Sequence, residues 1–212
     1  MLSPLLSKRF NRYPPYLLNH FEKDLYFVMF WGALGKVIAD NEDLETIIFL
    51  KKFREELETN LGKKTQFKII LADVHARMNG FEDLGTYTYL QHIKDMLESN
   101  GFETVYLSSL WKNWGITLEK ITKTIGKFKV TNTKLLDSLI NSSKKHYKLG
   151  NPKEGALKYY SMRKIERTFL ESEFRDSIFL TYNPPYFREI LPEMPTLYIY
   201  AKKGFSKPPW IP

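Results

Sequence analysis

One stretch constrains the fold of this chain more than any other: Phe67-Lys-Ile-Ile-Leu-Ala-Asp73-Val-His75-Ala-Arg77-Met-Asn79-Gly80. Phe67 to Leu71 are mostly apolar and β-favouring, the pattern of a strand buried on both faces. Polarity then changes abruptly. Asp73, His75, Arg77 and Asn79 recur at every second position and end at a glycine suited to a tight turn. A strand buried on both faces belongs in a parallel sheet, where ligands sit just beyond the carboxyl ends of the strands. The polar cluster is therefore the candidate site.

Around it the chain alternates between strand and helix patterns. Residues up to about Asp24 are rich in Tyr, Arg and Pro and read as an irregular arm with a short helix. Tyr26 to Trp31 is an apolar run suited to a first buried strand. In Gly32-Ala-Leu-Gly35-Lys36, two glycines and a lysine make either a structural turn or a place where backbone N–H groups and Lys36 meet an anion. Neither G-x-x-x-x-G-K-[ST] nor G-x-G-x-x-G is matched. Asp40 to Asp43 supply capping side chains for a helix whose apolar positions run from Leu44 to Leu57, with a stop at Leu61-Gly62. A second helix carries Tyr89, Leu90, Ile93, Met96 and Leu97 on one face and stops at Asn100-Gly101.

Thr104 to Leu107 reads as the third strand, with Ser108, Ser109, Trp111 and Trp114 at its carboxyl end. These hydroxyls and indoles either bind a ring or serve as packing anchors. Residues Lys120 to Lys134 suggest a surface connection or amphipathic helix, with a further strand allowed before Lys134. Leu135, Leu136, Leu139, Ile140 and Tyr147 define another helical face, beside a basic run of Lys144, Lys145, His146 and Lys148. That run is a solvated helix end or a phosphate-binding patch. On a helix from about Glu154 to Leu170, Tyr160, Arg163, Glu166 and Arg167 share a stripe, either a salt-bridge ladder or a crevice wall. Strands at Ser177–Tyr182 and Thr196–Tyr200 complete the pattern.

With 212 residues and no sign of an internal repeat or interdomain linker, a single domain spanning residues 1–212 is expected. No apolar stretch is long enough for a membrane span, and the first residues lack the ordered regions of a secretory signal, so a cytoplasmic protein is the expectation. The lack of cysteine excludes disulfides, thiolate metal sites and a Cys nucleophile. Asp73 and His75 have no third ligand at diagnostic spacing, so no metal is expected. A formal charge of +8 and a pI near 9.4 suit anionic partners such as nucleotides, RNA or phosphorylated metabolites, or simply a Lys-rich surface.

The segment Ile69-Ile-Leu-Ala-Asp-Val-His-Ala-Arg-Met-Asn79 resembles the second-strand region of tyrosyl- and tryptophanyl-tRNA synthetases, class I enzymes whose Rossmann catalytic domains often carry a similar Leu-Ala-Asp-x-His-Ala run. The helix that follows, Gly101 and Val105-Tyr-Leu-Ser108 continue the likeness. It implies that Asp73 and His75 line an amino-acid and adenylate pocket. The chain departs from the family where Trp31-Gly-Ala-Leu-Gly-Lys36 replaces a His-Ile-Gly-His-type signature. Lys203-Gly-Phe-Ser206-Lys207 is similar to the Lys-Met-Ser-Lys-Ser loop. These residues leave no room for an anticodon-binding domain, so a working synthetase is not expected. Cyclodipeptide synthases resemble a synthetase domain without appendages, but their Ser nucleophile after the first strand is absent here. Isocyanide synthases are similar in their order of helix, polar strand end and late strand leading to Pro-Trp, here Pro209-Trp210, without their Asp-Gly-Arg sequence.

The reading is an α/β chain with a Rossmann-like, mainly parallel sheet and helices on both faces. The expected function is an enzyme acting on an amino acid or an activated derivative, aminoacyl-tRNA included, in a crevice at the strand ends. Asp73 binds a substrate amine or hydroxyl, and His75 is either the general acid–base or a hydrogen-bonded structural residue. Arg77 and Lys36 bind anionic groups, Asn79 orients the substrate, and Arg163 and Glu166 meet a carboxylate and an amine. Trp31, Ser108, Tyr182 and Asn183 complete the binding set. Lys203 and Lys207 form a lid or belong to an ordinary tail. No cofactor is dictated, although ATP is compatible with such a crevice. The alternative is a non-catalytic RNA- or nucleotide-binding protein using the same crevice and basic surface.

Overall fold

The computed structural model describes residues 22–33 and 35–199. Most of the expected N-terminal arm, the lid residues Lys203 and Lys207, and Pro209-Trp210 lie outside the described residues. Among the described residues five strands form one parallel sheet: β1 (Leu25–Trp31), β2 (Thr65–Leu71), β3 (Glu103–Tyr106), β4 (Ile178–Thr181) and β5 (Thr196–Tyr198), in the order β3-β2-β1-β4-β5. The two most apolar runs of the sequence are central neighbours, paired from Leu25 opposite Thr65 to Trp31 opposite Leu71.

Alternation along these strands feeds two cores. Phe27, Met29, Trp31, Phe67, Ile69 and Leu71 meet α1 (Asn41–Leu61) and α3 (Asp83–Ser99) on one face. Val28, Ile70 and Phe179 meet α4 (Leu107–Asn113), α5 (Leu118–Thr122), α6 (Thr133–His146) and α7 (Pro152–Glu173) on the other. Between β2 and α3 lies a short helix, α2 (Asp73–Met78), which sends Ala76 to the first core and Val74 and Met78 to the second. Two-sided burial explains why the central strands read as continuous apolar runs.

Local signals fix several boundaries. Asp40 caps α1 by accepting from the backbone of Glu42 and Asp43, while the Asp43 carboxylate accepts from the Asp40 N–H in a reciprocal box. Gly62 ends that helix at φ 64°, a conformation that favours glycine. Asn151 caps α7 and Pro152 starts it. The further strand allowed before Lys134 is not formed, since no strand lies between β3 and β4 among the described residues. In that stretch Ile121, Phe128 and Val130 reach the second core, too little apolar surface to bury both faces of a strand.

Gly155 sets how closely the start of α7 approaches the chain leaving α6. A Cβ there would lie 2.5 Å from Tyr147 Cγ. Gly155→Ala should gain helix propensity but lose more to overpacking, a net loss of about 1–2 kcal/mol in urea denaturation at constant m value.

Candidate functional site

The strand order reverses beside β1. The chain moves from β1 to β2 on one side, while β4 pairs with β1 on the other. Connections leaving such a point diverge and open a crevice at the carboxyl ends of the strands. A cavity of about 120 Å³ lies there, bounded by Phe30 and Gly32 from the end of β1, Ala72 beyond β2, and Thr181 and Asn183 from the end of β4. A single water needs roughly 10–15 Å³ on the same measure, so the space suits a small organic molecule.

The polar run after β2 is helical rather than extended. In a strand, alternate residues would share a face; in a helix, residues two apart point nearly opposite ways and residues four apart coincide. His75 and Asn79 therefore line the cavity together, whereas Asp73 and Arg77 leave it. The Asp73 carboxylate accepts from the Ser108 backbone N–H at 3.0 Å, satisfying an otherwise orphaned donor at the start of α4. Arg77 pairs with Asp83 on the surface at 2.9 Å.

His75 stacks on Phe30, with centroids 5.6 Å apart and rings inclined by 20°, and meets Tyr159 edge-on. Its Nε2 lies 2.9 Å from Oε1 of Glu166, a fully buried carboxylate. The Trp111 indole donates to the same oxygen at 3.0 Å, and Arg163 donates to Oε2 at 2.7 Å. Burial alone would raise the Glu166 pKa. The charges of His75 and Arg163 and the hydrogen bonds from His75 and Trp111 overcome it and hold the carboxyl below its ordinary range. An ionised Glu166 can only accept, so a neutral His75 carries its proton on Nε2 and its lone pair on Nδ1. Among the described residues nothing bonds to Nδ1. That nitrogen is suited to take a proton.

Helix α7 supplies this arrangement through Tyr159, Arg163 and Glu166, at i, i+4 and i+7. The expected partners Tyr160 and Arg167 turn the other way, to Glu189 and to Glu171 and Glu193. Arg163 also lies 4.2 Å above the Phe30 ring centroid. Helix α6 closes the opposite wall with Leu139, Ser142, Ser143 and His146, again one helical stripe. Burial, reinforced by Lys145, pulls the His146 pKa down and favours a neutral imidazole. Burial likewise pushes the Tyr159 phenol up, keeping it protonated.

Of the residues expected to bind substrate, Asn79, Arg163, Tyr182 and Asn183 join His75 on the wall. Glu166 lies behind His75 with its carboxylate filled by protein donors, so it is not placed to receive a substrate amine. Trp31 and Lys36 belong to another network. The Trp31 indole donates to the Tyr89 hydroxyl at 3.1 Å, which donates to buried Asp43 at 2.8 Å. Lys36 is held by Asp40 at 2.6 Å and by Asp43 at 3.0 Å. The glycine turn thus ties β1 to the start of α1. Ser108 sits at the capped end of α4, away from the cavity wall. Tyr159, Ser142, Ser143 and His146 were missed. Small polar residues recurring on an otherwise apolar helical stripe were the available signal. Among the described residues no three His, Asp or Glu gather as a metal-binding group, and no described helix is long and apolar enough to cross a membrane.

No protein-family model and no curated protein matches the sequence. Solved structures do match. The PvcA protein from Pseudomonas aeruginosa superposes with a TM-score of 0.55 at 14% identity, over 84% of this chain and 69% of that one. Tryptophanyl-tRNA synthetase from Plasmodium falciparum gives 0.53 at 15% identity, over 87% and 52%. Tyrosyl-tRNA synthetase from Leishmania major, solved in complex with tyrosinol, gives 0.55 at 12% identity, over 87% and 28%. The chain shares their fold. It spans about half of the first synthetase and little more than a quarter of the second.

Because the Glu166 pKa is lowered by folding, its contribution to stability is complete above the unfolded carboxyl pKa and is lost as pH falls through the folded one. Glu166→Gln should cost about 3 kcal/mol near pH 7, since one amide oxygen cannot receive the existing donors. The gap between wild type and variant should narrow as pH falls below about 5, as measured by chemical denaturation across pH.

Proposed function

We propose that this protein is an enzyme acting on an amino acid or an activated amino-acid derivative, aminoacyl-tRNA included, bound in the cavity at the strand ends. The observation that carries this reading is His75 on the wall of that cavity, with Nε2 fixed by buried Glu166 and Nδ1 left to exchange a proton. The fold shared with two aminoacyl-tRNA synthetases, one solved with the amino-acid analogue tyrosinol, supports the substrate class. His75 is the general acid–base, Arg163 the anion-binding group, and Asn79 and Asn183 orient the substrate. Glu166 acts through His75 as a positioning residue.

Thermal-shift screening of the full chain against amino acids and non-hydrolysable aminoacyl-adenylate analogues, followed by native mass spectrometry, tests this reading. At least one compound should raise the melting temperature, and His75→Ala should abolish turnover of that compound or of its reactive counterpart while leaving the circular dichroism spectrum unchanged. A protein that retains only nucleic acid and binds none of these compounds would contradict it.

One observation favours an RNA-borne substrate. Lys144, Lys145 and Lys148 are exposed around His146, which itself faces the cavity. The cationic surface would then guide the phosphodiester backbone while the acyl end enters the cavity. Lys144→Glu with Lys145→Glu should weaken tRNA binding several-fold at low salt and reduce its dependence on salt by up to about 2 in log–log slope. Filter binding that detects no tRNA with the unaltered protein would remove RNA and leave a small-molecule substrate.

A further inference from the structure

The charge inventory of the cavity is one-sided. Among the described residues that line it, Arg163 carries a permanent positive charge, His75 and His146 are imidazoles, and none is an Asp or Glu. The nearby carboxylate, Glu166, has no exposed surface and is filled by three protein donors. Residues 1–21, Leu34 and residues 200–212 also contain no Asp or Glu.

Arg163 spends one N–H donor at Nη1 on Glu166, and a guanidinium has five. Among the described residues no other acceptor takes a hydrogen bond from it. Arg163 is thus placed to meet an anion from the cavity side. Phe30 and Phe179 offer an apolar bed for the body of the same molecule. The remaining polar wall, including Asn79, Asn183 and Thr181, is neutral.

A free amino acid would place its carboxylate well but bring an ammonium into the same small space. That ammonium would meet neutral acceptors only, close to a guanidinium of like charge, and burying an unpaired charge is strongly unfavourable. From this we infer that the cavity binds an apolar or aromatic carboxylate whose α-nitrogen carries no positive charge: an N-acylated amino acid or the corresponding 2-oxo acid. The inference rests on the reading of this cavity as a site for amino-acid-derived compounds and narrows it to those lacking a free ammonium group, which sets aside aminoacyl-tRNA, whose acyl end carries a free amine and no carboxylate.

Isothermal titration calorimetry on the full chain at pH 7.5 separates the cases. The probes are N-acetyl-L-tyrosine, 4-hydroxyphenylpyruvate, L-tyrosine and tyrosinol, with N-acetyl-L-leucine and L-leucine as an aliphatic pair. The anion-only probes of at least one series should bind ten-fold or more tightly than the matching free amino acid, and tyrosinol should not bind. Arg163→Lys keeps a cation for Glu166 but loses the planar fork, so it should weaken the anion-only probes at least ten-fold. Should that variant fail to fold, the probe series on the unaltered protein decides alone. L-Tyrosine, L-leucine or tyrosinol binding as tightly as its anion-only counterpart would overturn the inference and leave the amino-acid reading standing. If no probe of either series binds, the inference falls, and the amino-acid reading then stands or falls on the adenylate-analogue and tRNA binding tests.

Discussion

The buried carboxylate of Glu166 is the interaction on which the candidate site depends. It takes hydrogen bonds from His75 on α2, Trp111 on α4 and Arg163 on its own helix, joining three elements far apart in sequence. An isolated carboxylate in this position would be strongly unfavourable. Three donors, one of them a guanidinium, make the ionised form the stable one. The consequence is directional as well as energetic. Each oxygen of Glu166 fixes a donor, so the His75 ring can present only one nitrogen to the cavity, and the Arg163 guanidinium is held above Phe30.

The sheet places this cluster where a ligand can reach it. Parallel strands end together, and reversal of strand order beside β1 keeps the connections from closing over those ends. Helices α6 and α7 then complete the walls, one with small polar side chains and a histidine, the other with Tyr159 and Arg163. Aromatic packing stiffens the floor: Phe30 contacts His75, Phe179 and Arg163 at once. Such a floor holds polar groups in fixed positions against a low-dielectric surface, where their electrostatic interactions are stronger than in water.

A second polar network works on the other side of the sheet and has a different task. Trp31, Tyr89, Asp43 and Lys36 form a chain of hydrogen bonds and ion pairs from the end of β1 to the capped start of α1. Burial, together with the charge of Asp43, raises the Tyr89 pKa well above its ordinary value, so its hydroxyl remains a donor. The two networks use similar residue types. They differ in that the first borders a cavity and the second borders packed protein.

Apolar runs at Tyr26–Trp31 and Phe67–Leu71, the caps at Asp40 and Asn151 and the stop at Gly62 determined the strand–helix alternation, because hydrophobic periodicity and capping act over a few neighbouring residues. The same local signals marked His75, Asn79, Arg163, Tyr182 and Asn183 as candidates for one site, and these converge. Whether the polar run after β2 continued as a strand was not settled by its alternation. Helix α2 starts immediately at Asp73 and thereby separates Asp73 and Arg77 from His75. Nor could sequence tell which polar groups would satisfy one another, since Asp43, Glu166 and Lys36 find partners through packing between elements. The sequence by itself determined most of the strands and long helices and the pool of polar side chains. Only the tertiary structure decided which of them face the cavity, because orientation depends on helix phase and on competition among buried donors and acceptors across the fold.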